Sequence, residues 1–197
     1  MIKFSHLEGE PINLFKSYFL KAVDAGQKNP DAMCISSINR KNNTPHSRFV
    51  NLKYVHSNEL IFFSNYESNK AKHFISCNAV SCIFFWPSIN IQIRIGGVIK
   101  KTSSLISDEH FALRSPDKNA LAISSNQSSL VFSFDEVKKN FNNTLNNSNL
   151  TVRPNYWGGY SINPNYFEFW EGGSSRLNKR KQFELDSNNW VYSILEP

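Results

Sequence analysis

The sequence contains no apolar run approaching the roughly 18 residues that a membrane-spanning helix needs. Its first ten residues lack an apolar signal core and carry Glu8 and Glu10, so they do not resemble a secretory leader. We therefore expect a cytoplasmic protein without a membrane partner. A length of 197 residues is typical of one domain, and we assign residues 1–197 to it, with 1–10 as a flexible N-terminal segment.

Cysteine is scarce, and its three copies do not suggest a disulfide framework or a metal centre. Cys34, Cys77 and Cys82 are odd in number and lack the short paired spacing of zinc ligands. We expect buried or half-buried free thiols and no metal site. Aromatic residues are abundant by contrast, since phenylalanine alone occurs 16 times, and such large side chains suit the inner faces of sheets.

Acidic residues are fewer than basic ones, 16 against 22, which gives a formal charge of +6. A basic surface can attract nucleic acid through counterion release, or a few converging cations can hold a small anionic ligand. Lys and Arg are scattered along the chain, and the one dense cluster, Arg176–Lys181, adjoins an aromatic segment. This distribution favours a small anionic ligand, and we expect no nucleic-acid partner.

The first periodic segment predicts a helix over Pro11–Ala25. Pro11 suits the first helical turn, apolar side chains such as Phe15 and Phe19 recur at helical steps, and Gly26 follows as a stop. From there the period becomes that of extended chain. Segments rich in β-branched and aromatic residues are predicted as strands at Ala32–Ile38, Ser47–Val55, Leu60–Ser64, Val80–Trp86, Ile89–Lys101, Tyr156–Ile162, Tyr166–Glu171, Lys181–Leu185 and Trp190–Leu195.

Shorter helices are predicted between these strands, at Glu67–Ser76, Ser104–Leu113 and Phe134–Leu145. The Asn-rich stretch Asn142–Asn149 is expected to form a surface loop. Strict alternation places Gln92 and Arg94 on one face of their strand and the neighbouring isoleucines on the other. Many short strands with a few helices between them predict a mainly β fold, a closed barrel with short peripheral helices.

Arg48 and Lys53 are two cations on one predicted strand. They differ by an odd number of positions and so point to opposite faces, unless a bulge intervenes. Each could then serve one of two anion sites that flank the strand. A solvated strand edge would also explain them.

Two polar segments could donate hydrogen bonds to a phosphate. Ser64–Lys70 joins a strand end to a helix start, which brings backbone N–H groups and a lysine together. Ser124–Ser129 is rich in hydroxyl groups. Each segment also fits a simpler structure, a capped helix in the first case and a plain loop in the second.

A fourth segment combines paired glycines, aromatic rings and cations. In Trp157-Gly158-Gly159-Tyr160 and in Phe167–Gly173, glycines stand beside aromatic residues, which suggests close backbone approach in a strand or bulge. Arg176 and Arg180 follow, and each planar guanidinium group could hold a phosphate or a carboxylate through two hydrogen bonds. An aromatic core with solvated charges is the alternative.

Taken in order, these four segments resemble the pyridoxamine 5′-phosphate oxidase family, over about Pro30–Pro197. The Trp157-Gly158-Gly159-Tyr160 motif and the run from Phe169 to Gly173 before Arg176-Leu177 are the most specific parts. The resemblance implies an FMN-binding split β-barrel of Greek-key-like topology with peripheral helices. It also implies a homodimer with FMN at the subunit interface.

The resemblance further implies which residues contact the cofactor and the substrate. The implied FMN contacts are Arg48, Phe49, Val50, Lys53, Phe63, Ser64, Asn69, Lys70, Gln92, Gln127, Ser128, Trp170 and Arg180. The implied substrate contacts are Lys53, His110, Arg114, Lys118, Arg176 and Asn178. Arg176 and Asn178 stand at the catalytic positions, with Arg176 over the substrate ring.

The sequence departs from the family pattern mainly among the substrate contacts. The family's Arg-Leu-His becomes Arg176-Leu177-Asn178, so an amide that does not titrate near neutral pH replaces an imidazole. His110 stands where a Tyr is expected, and Lys118 where a Ser is expected. Asn69 replaces an Arg, which removes one cation from the implied phosphate site.

The implied activity is that of an FMN-dependent oxidase, which takes a hydride from a small anionic aromatic substrate and passes electrons to O₂. Pyridoxamine or pyridoxine 5′-phosphate is the first substrate candidate, and a phenazine-biosynthesis precursor is the second. The loss of the family His at Asn178 leaves a third hypothesis open, a non-catalytic FMN- or pyridoxal-phosphate-binding protein.

Overall fold

The computed structural model describes residues 1–197, which form nine strands and five α-helices. The strands are β1 (Lys3–Ser5), β2 (Ala32–Asn39), β3 (Thr44–His56), β4 (Glu59–Asn65), β5 (Ala79–Trp86), β6 (Ile91–Lys101), β7 (Trp157–Glu171), β8 (Lys179–Asp186) and β9 (Asn189–Leu195). The helices are α1 (Glu10–Asp24), α2 (Asn69–Ser76), α3 (Ser104–Ala112), α4 (Pro116–Ser124) and α5 (Phe134–Asn147).

Six strands close into an antiparallel barrel. β3, β2, β5, β6 and β7 pair in that order. β4 pairs with both β7 and β3 and so completes the ring. The mainly β barrel with peripheral helices, which the sequence predicted, is confirmed.

Barrel side chains alternate between the core and the outer surface, as the pleat of a strand requires. Along β5, every second residue from Val80 to Trp86 is buried. Along β6, the isoleucines at 91, 93 and 95 are buried, whereas Gln92 and Arg94 lie on the opposite face, as predicted. The alternation therefore fixes which side chains each strand contributes to the core.

β7 joins the barrel to a hairpin outside it. One edge of β7 pairs with β6, while on the other edge Trp157–Ile162 pairs with β4 and Tyr166–Glu171 pairs with β8. The register shifts opposite Gly96 and Gly97, near Pro164, whose nitrogen has no N–H to donate to the ladder. The two strands that the sequence predicted here are one strand, and β8 and β9 extend from its second half.

Aromatic rings dominate the core and tie α1 to the barrel. The Phe15 ring centroid lies 5.2 Å from that of Phe84 and 5.9 Å from that of Trp86. Each of these three side chains is almost completely buried. Burying such a side chain contributes about 2–3 kcal/mol, so this cluster holds the helix firmly against the sheet.

The N-terminus differs from the expectation that residues 1–10 are flexible. β1 pairs in parallel with Tyr54–His56 of β3, and Ile2 is buried in the main core. A three-residue strand carries little periodic signal, so only its long-range pairing reveals it.

Two further differences concern helices. The Asn-rich stretch Asn142–Asn149 is not a loop as expected, because α5 continues to Asn147 and buries Thr144. α5 packs against α4, and this tertiary contact outweighs the low helix propensity of asparagine. α4 itself was not predicted, although Pro116 and Asp117 in its first turn are typical of a helix start. None of the five helices combines the length and apolar character that a membrane crossing requires.

Candidate functional site

A large cleft of about 1180 Å³ opens along one edge of β3. No Asp or Glu lines this cleft, whereas seven cations do. The cations are Lys41, Arg48, Lys53, Lys70, Lys72, Arg114 and Lys118. Such an excess of positive charge makes the cleft a site for an anionic ligand.

Arg48 and Lys53 both line this one cleft. β4 pairs with β3 only at Leu52–His56, so the edge of β3 from Thr44 to Asn51 is unpaired on that side. The cleft follows the unpaired edge and therefore reaches side chains from both faces of the strand. In addition, the register with β4 shifts between Leu52 and Tyr54, which is the bulge that the sequence analysis allowed for. Both cations therefore face one continuous cleft.

One end of the cleft contains a cluster of hydrogen-bond donors around Lys70. The Lys70 ammonium donates to Gln127 Oε1 at 2.9 Å and to Ser64 Oγ at 3.0 Å. Arg48 lies nearby and donates to the buried Ser37 hydroxyl at 2.7 Å. Burial, with a smaller contribution from the Arg48 charge, lowers the pKa of Lys70 to about 8. Neither cation has a carboxylate partner, so an incoming anion would relieve their mutual repulsion.

Arg114 and Lys118 form the other end of the cleft. The Arg114 guanidinium lies 4.2 Å from the centre of the Trp157 ring, a cation–π contact. Its Nε is buried and has no hydrogen-bond partner within the chain. A buried donor without a partner is costly, which favours an acceptor from a bound ligand.

Lys53 is held differently from the other cations. Its ammonium forms a 2.8 Å ion pair with Asp31, which lies outside the cleft lining. Asp31 therefore offsets part of the charge that Lys53 brings to the site.

His110 presents an uncharged ring to the cleft. It stacks on Phe63 with ring centroids 3.7 Å apart. Burial, together with the charges of Arg114 and Lys53, lowers the pKa of His110 to about 4. The imidazole is therefore neutral at physiological pH.

The structure divides the residues that the sequence singled out into two groups. The group that lines the cleft is Arg48, Phe49, Val50, Lys53, Phe63, Ser64, Asn69, Lys70, His110, Arg114, Lys118, Gln127 and Ser128. The group that does not is Gln92, Trp170, Arg176, Asn178 and Arg180. The sequence alone did not show which residues belong to the group in the cleft and which to the group outside it.

The second group lies on β6, β7, β8 and the turn before β8. Trp170 stands opposite Gln92 on one side and Arg180 on the other. Arg180 Nε donates to the buried carboxylate of Glu168 at 2.9 Å, and Arg180 also donates to the Glu196 carbonyl. Arg176 is exposed, and Asn178 Oδ1 accepts from the Gly173 amide. Within one chain these residues form a separate patch.

Sequence reasoning missed several residues at the cleft. Trp157 belongs to a motif that was recognised, but no role was assigned to it, although it lines the cleft beside Arg114. Asp31 and Ser37 position Lys53 and Arg48, and Tyr54 bonds to His110. Only Trp157 carried a usable signal, because its neighbouring glycines marked the site.

Two family models together match most of the chain. Residues 19–144 match the family model described as pyridoxamine 5′-phosphate oxidase. Residues 157–197 match the model of the pyridoxine 5′-phosphate oxidase C-terminal dimerisation region. This second segment contains Trp170, Arg176, Asn178 and Arg180 and supports a homodimer.

Curated relatives match over nearly the whole chain. The chain is 38% identical over 191 residues to the pyridoxine/pyridoxamine 5′-phosphate oxidase of Leptospira biflexa, which covers 95% of this chain and 89% of the relative. It is 35% identical over 201 residues to pyridoxine/pyridoxamine 5′-phosphate oxidase 1 of Hydrogenovibrio crunogenus, which covers 100% of this chain and 92% of the relative.

Solved structures share the fold. PhzG from Burkholderia lata 383, in complex with tetrahydrophenazine-1-carboxylic acid, matches with a TM-score of 0.90 at 25% identity, over 96% of this chain and 94% of that one. A pyridoxamine 5′-phosphate oxidase-related, FMN-binding protein from Nostoc punctiforme matches with a TM-score of 0.79 at 12% identity, over 97% of this chain and 100% of that one.

Proposed function

Because the chain belongs to the pyridoxamine 5′-phosphate oxidase family, we propose that it is an FMN-dependent oxidase of an anionic aromatic substrate. The observation that carries this proposal is the cleft with seven cations and no carboxylate, which continues into the aromatic rings of Phe63, His110 and Trp157. A phosphorylated or carboxylated ring matches both features. Pyridoxamine or pyridoxine 5′-phosphate is the substrate that the relatives' names favour.

The residues present fit the phosphate of FMN. Arg48 and Lys70 would hold its charge, and the Ser64 and Ser128 hydroxyls and the Gln127 amide would donate hydrogen bonds. All five line the cleft, and Ser128 lies in an exposed turn, where its backbone adopts a left-handed conformation with φ 73°. The backbone groups of Phe49 face the unpaired edge of β3 and are free to bond the flavin ring, whereas those of Val50 face β2.

The other end of the cleft suits the substrate anion. Arg114 and Lys118 would bind it, with Lys53 contributing a charge that Asp31 partly offsets. The neutral His110 would add a donor that brings no further positive charge. Charge-assisted hydrogen bonds of this kind set the orientation of the ring as well as the affinity.

We propose that a second copy of the chain completes each cleft with Gln92, Trp170, Arg176, Asn178 and Arg180. Four of these five residues lie in the segment that matches the dimerisation region. The fifth, Gln92, is paired with Trp170 across β6 and β7. The outer barrel face beside Gln92 carries the half-exposed Phe85, an apolar surface of the kind that oligomer interfaces cover.

Bound FMN would accept a hydride from the substrate and transfer the two electrons to O₂. For a pyridoxine-type substrate, the C4′ alcohol becomes the aldehyde as O₂ is reduced to hydrogen peroxide. A C4′ amine would become an imine in the same two-electron step, and water would then hydrolyse the imine to the aldehyde and ammonia. The protein's part is to bind the anion, to orient the ring with Arg176 and to keep water out. Asn178 does not titrate, so no general base is assigned to that position.

A second candidate is oxidation of a phenazine precursor. The similarity to PhzG, whose structure contains tetrahydrophenazine-1-carboxylic acid, favours it. Asn178, which replaces the His of the family pattern, favours neither candidate over the other. Both candidates share an anionic aromatic ring, and only turnover distinguishes them.

The test is the visible spectrum of the purified protein and its anaerobic bleaching. A flavin spectrum that bleaches with pyridoxamine or pyridoxine 5′-phosphate supports the first candidate, and bleaching only with a dihydrophenazine carboxylate supports the second. A yellow protein that neither substrate bleaches indicates a non-catalytic binding protein. A colourless protein that does not take up FMN rejects the proposal. In Asn178→His, faster bleaching by pyridoxine phosphate would show that the rest of the pocket is intact.

A further inference from the structure

Three roughly parallel rings form the wall of the cleft at its substrate end. The His110 ring lies 8° from the plane of Phe63, and Phe63 lies 13° from the plane of Trp157 at 5.5 Å. Tyr54 meets this wall edge-on, at 84° to His110 and 78° to Phe63. The stack fixes the plane of the imidazole but leaves open which ring nitrogen carries the proton.

The Tyr54 hydroxyl is the one hydrogen-bond partner of this imidazole within the chain. It lies 2.8 Å from Nδ1 of His110, which is a good hydrogen-bond distance. No hydrogen bond within the chain engages Nε2, the nitrogen left to the cleft. A neutral imidazole carries one proton, so its two nitrogens have opposite roles.

The two possible tautomers differ in what they offer an anion. With the proton on Nδ1, the ring donates to the Tyr54 oxygen, and the Nε2 lone pair repels an anion in the cleft. With the proton on Nε2, Tyr54 donates to Nδ1 and Nε2–H can donate to the anion. Burial of the ring, followed by the charges of four nearby cations, disfavours a second proton, so His110 stays neutral and must adopt one of the two tautomers. The cations are Arg114, Lys53, Lys3 and Lys118.

We propose that Tyr54 is a positioning residue for the substrate anion: its hydroxyl donates to Nδ1 of His110 and thereby keeps the imidazole proton on Nε2, facing the cleft. The inference rests on the proposed function and extends it, because it assigns a role to a residue outside the implied substrate contacts. It also explains how an imidazole can stand where the family pattern has a phenol. The Tyr54–His110 pair presents one uncharged donor, as a single tyrosine hydroxyl would.

A double-mutant cycle on the FMN-loaded protein tests the inference. The variants are Tyr54→Phe, His110→Phe and both together, since phenylalanine at 110 keeps the ring on Phe63 but removes its nitrogens. The probes are pyridoxal 5′-phosphate and phenazine-1-carboxylate, and the measured quantity is the Kd of each without turnover. Tyr54→Phe should weaken binding of the preferred probe about fivefold, a typical effect of one hydrogen bond. In the His110→Phe background, the same change should have almost no effect.

A second measurement reports the proton directly. In ¹⁵N-histidine-labelled protein, the His110 signals, identified by their loss in His110→Phe, should show a protonated Nε2 and an unprotonated Nδ1 when the probe is bound. Tyr54→Phe should give a mixture of tautomers. Tyr18→Phe, on α1, is the matched control: its hydroxyl makes no hydrogen bond within the chain, and the residue neither lines the cleft nor belongs to the group that contains Arg180, so it should change neither the Kd nor the spectrum.

The outcomes separate this inference from the proposed function. A proton on Nδ1 in the complex, or an equal effect of Tyr54→Phe in both backgrounds, or no effect in either, would overturn the role of Tyr54 while the flavin oxidase remains. Failure of the FMN-loaded protein to bind either probe would overturn the substrate assignment and this inference with it.

Discussion

Arg48 and Lys53 lie five positions apart on β3 and line the same cleft. Strand alternation alone would separate them, but the unpaired edge of β3 gives the cleft access to both faces. Both positive charges therefore lie in the cleft and not in the core of the barrel. This joins the proposed phosphate end and the proposed substrate end in one cleft, and the predictions below test that site and the fold that holds it.

Lys70 is predicted to contribute directly to FMN affinity. Replacing it with Met removes the ammonium that bonds Ser64 and Gln127, and the Kd for FMN should rise about tenfold or more, as expected for a charge-assisted hydrogen bond. Quenching of FMN fluorescence on binding measures this Kd. Lys138→Met, an exposed change on α5, is the control, and an equal effect there would contradict the specific role of Lys70.

FMN binding should weaken as the pH rises above about 8. The pKa of Lys70 in the ligand-free protein is about 8, so its charged form, which the phosphate needs, is lost above that value. Titrations from pH 7 to 9 should show falling affinity for the natural protein. Lys70→Arg stays protonated throughout this range, and its affinity should be nearly constant. A parallel pH dependence in both proteins would exclude Lys70 as the titrating group.

Glu168 is predicted to be a main support of the β7–β8 hairpin. Its nearly buried carboxylate accepts from Arg94 at 2.6 Å and from Arg180 at 2.9 Å. Glu168→Gln leaves two arginines without their anion and should lower the free energy of unfolding by about 3 kcal/mol. Urea denaturation measures this loss, and Glu184→Gln, an exposed change on β8, should have little effect.

The same carboxylate gives stability a predictable pH dependence. Burial alone would raise the pKa of Glu168, but hydrogen bonds from Arg180 and Tyr166 and the charges of Arg94 and Arg180 lower it overall. Its stabilising contribution is therefore complete above the ordinary glutamate pKa and is lost as the pH falls through the lower folded value. Glu168→Gln should show a smaller loss of stability on acidification than the natural protein. Identical acid profiles would contradict this assignment.

Gly97 is predicted to be essential for the register shift between β6 and β7. A Cβ at this position would lie 2.5 Å from the Asn163 carbonyl oxygen, a backbone atom that cannot move aside. Gly97→Ala should therefore destabilise the fold by about 2–3 kcal/mol. Gly26→Ala, where nothing lies within 4 Å but φ is +71°, should cost only about 1 kcal/mol in urea unfolding. If both variants lost the same free energy of unfolding, the contact between a Cβ at position 97 and the Asn163 carbonyl would not explain the effect of Gly97→Ala.

Phe85 is predicted to lie in the dimer interface. It is 55% exposed in one chain and stands opposite Gln92, which belongs to the group outside the cleft. Phe85→Glu would bury a charge there and should shift the protein toward monomers in sedimentation velocity, with weaker FMN binding as a consequence. Leu20→Glu on α1 is the control. A stable Phe85→Glu dimer with normal FMN affinity would place the interface elsewhere.

Local sequence patterns alone determined much of the fold. The periodicity of apolar residues identified α1 and most of the strands to within a few residues of their ends. It could do so because the alternation of buried and exposed side chains depends only on neighbouring positions in the sequence. The order of the glycine, aromatic and cationic segments indicated the family, which the family models and curated relatives confirm. The departures at His110 and Asn178 could also be read directly from the chain.

Only the tertiary structure decided which residues meet. Alternation states the face on which a side chain lies but not which strand lies beside it, so the closure by β4 and the unpaired edge of β3 could not be read locally. The pairing of Tyr54 with His110, 56 positions away, is a consequence of that closure. The separation of Arg180 and Asn178 from the cleft could not be read locally either, because sequence order does not show that β8 pairs with the second half of β7, outside the barrel.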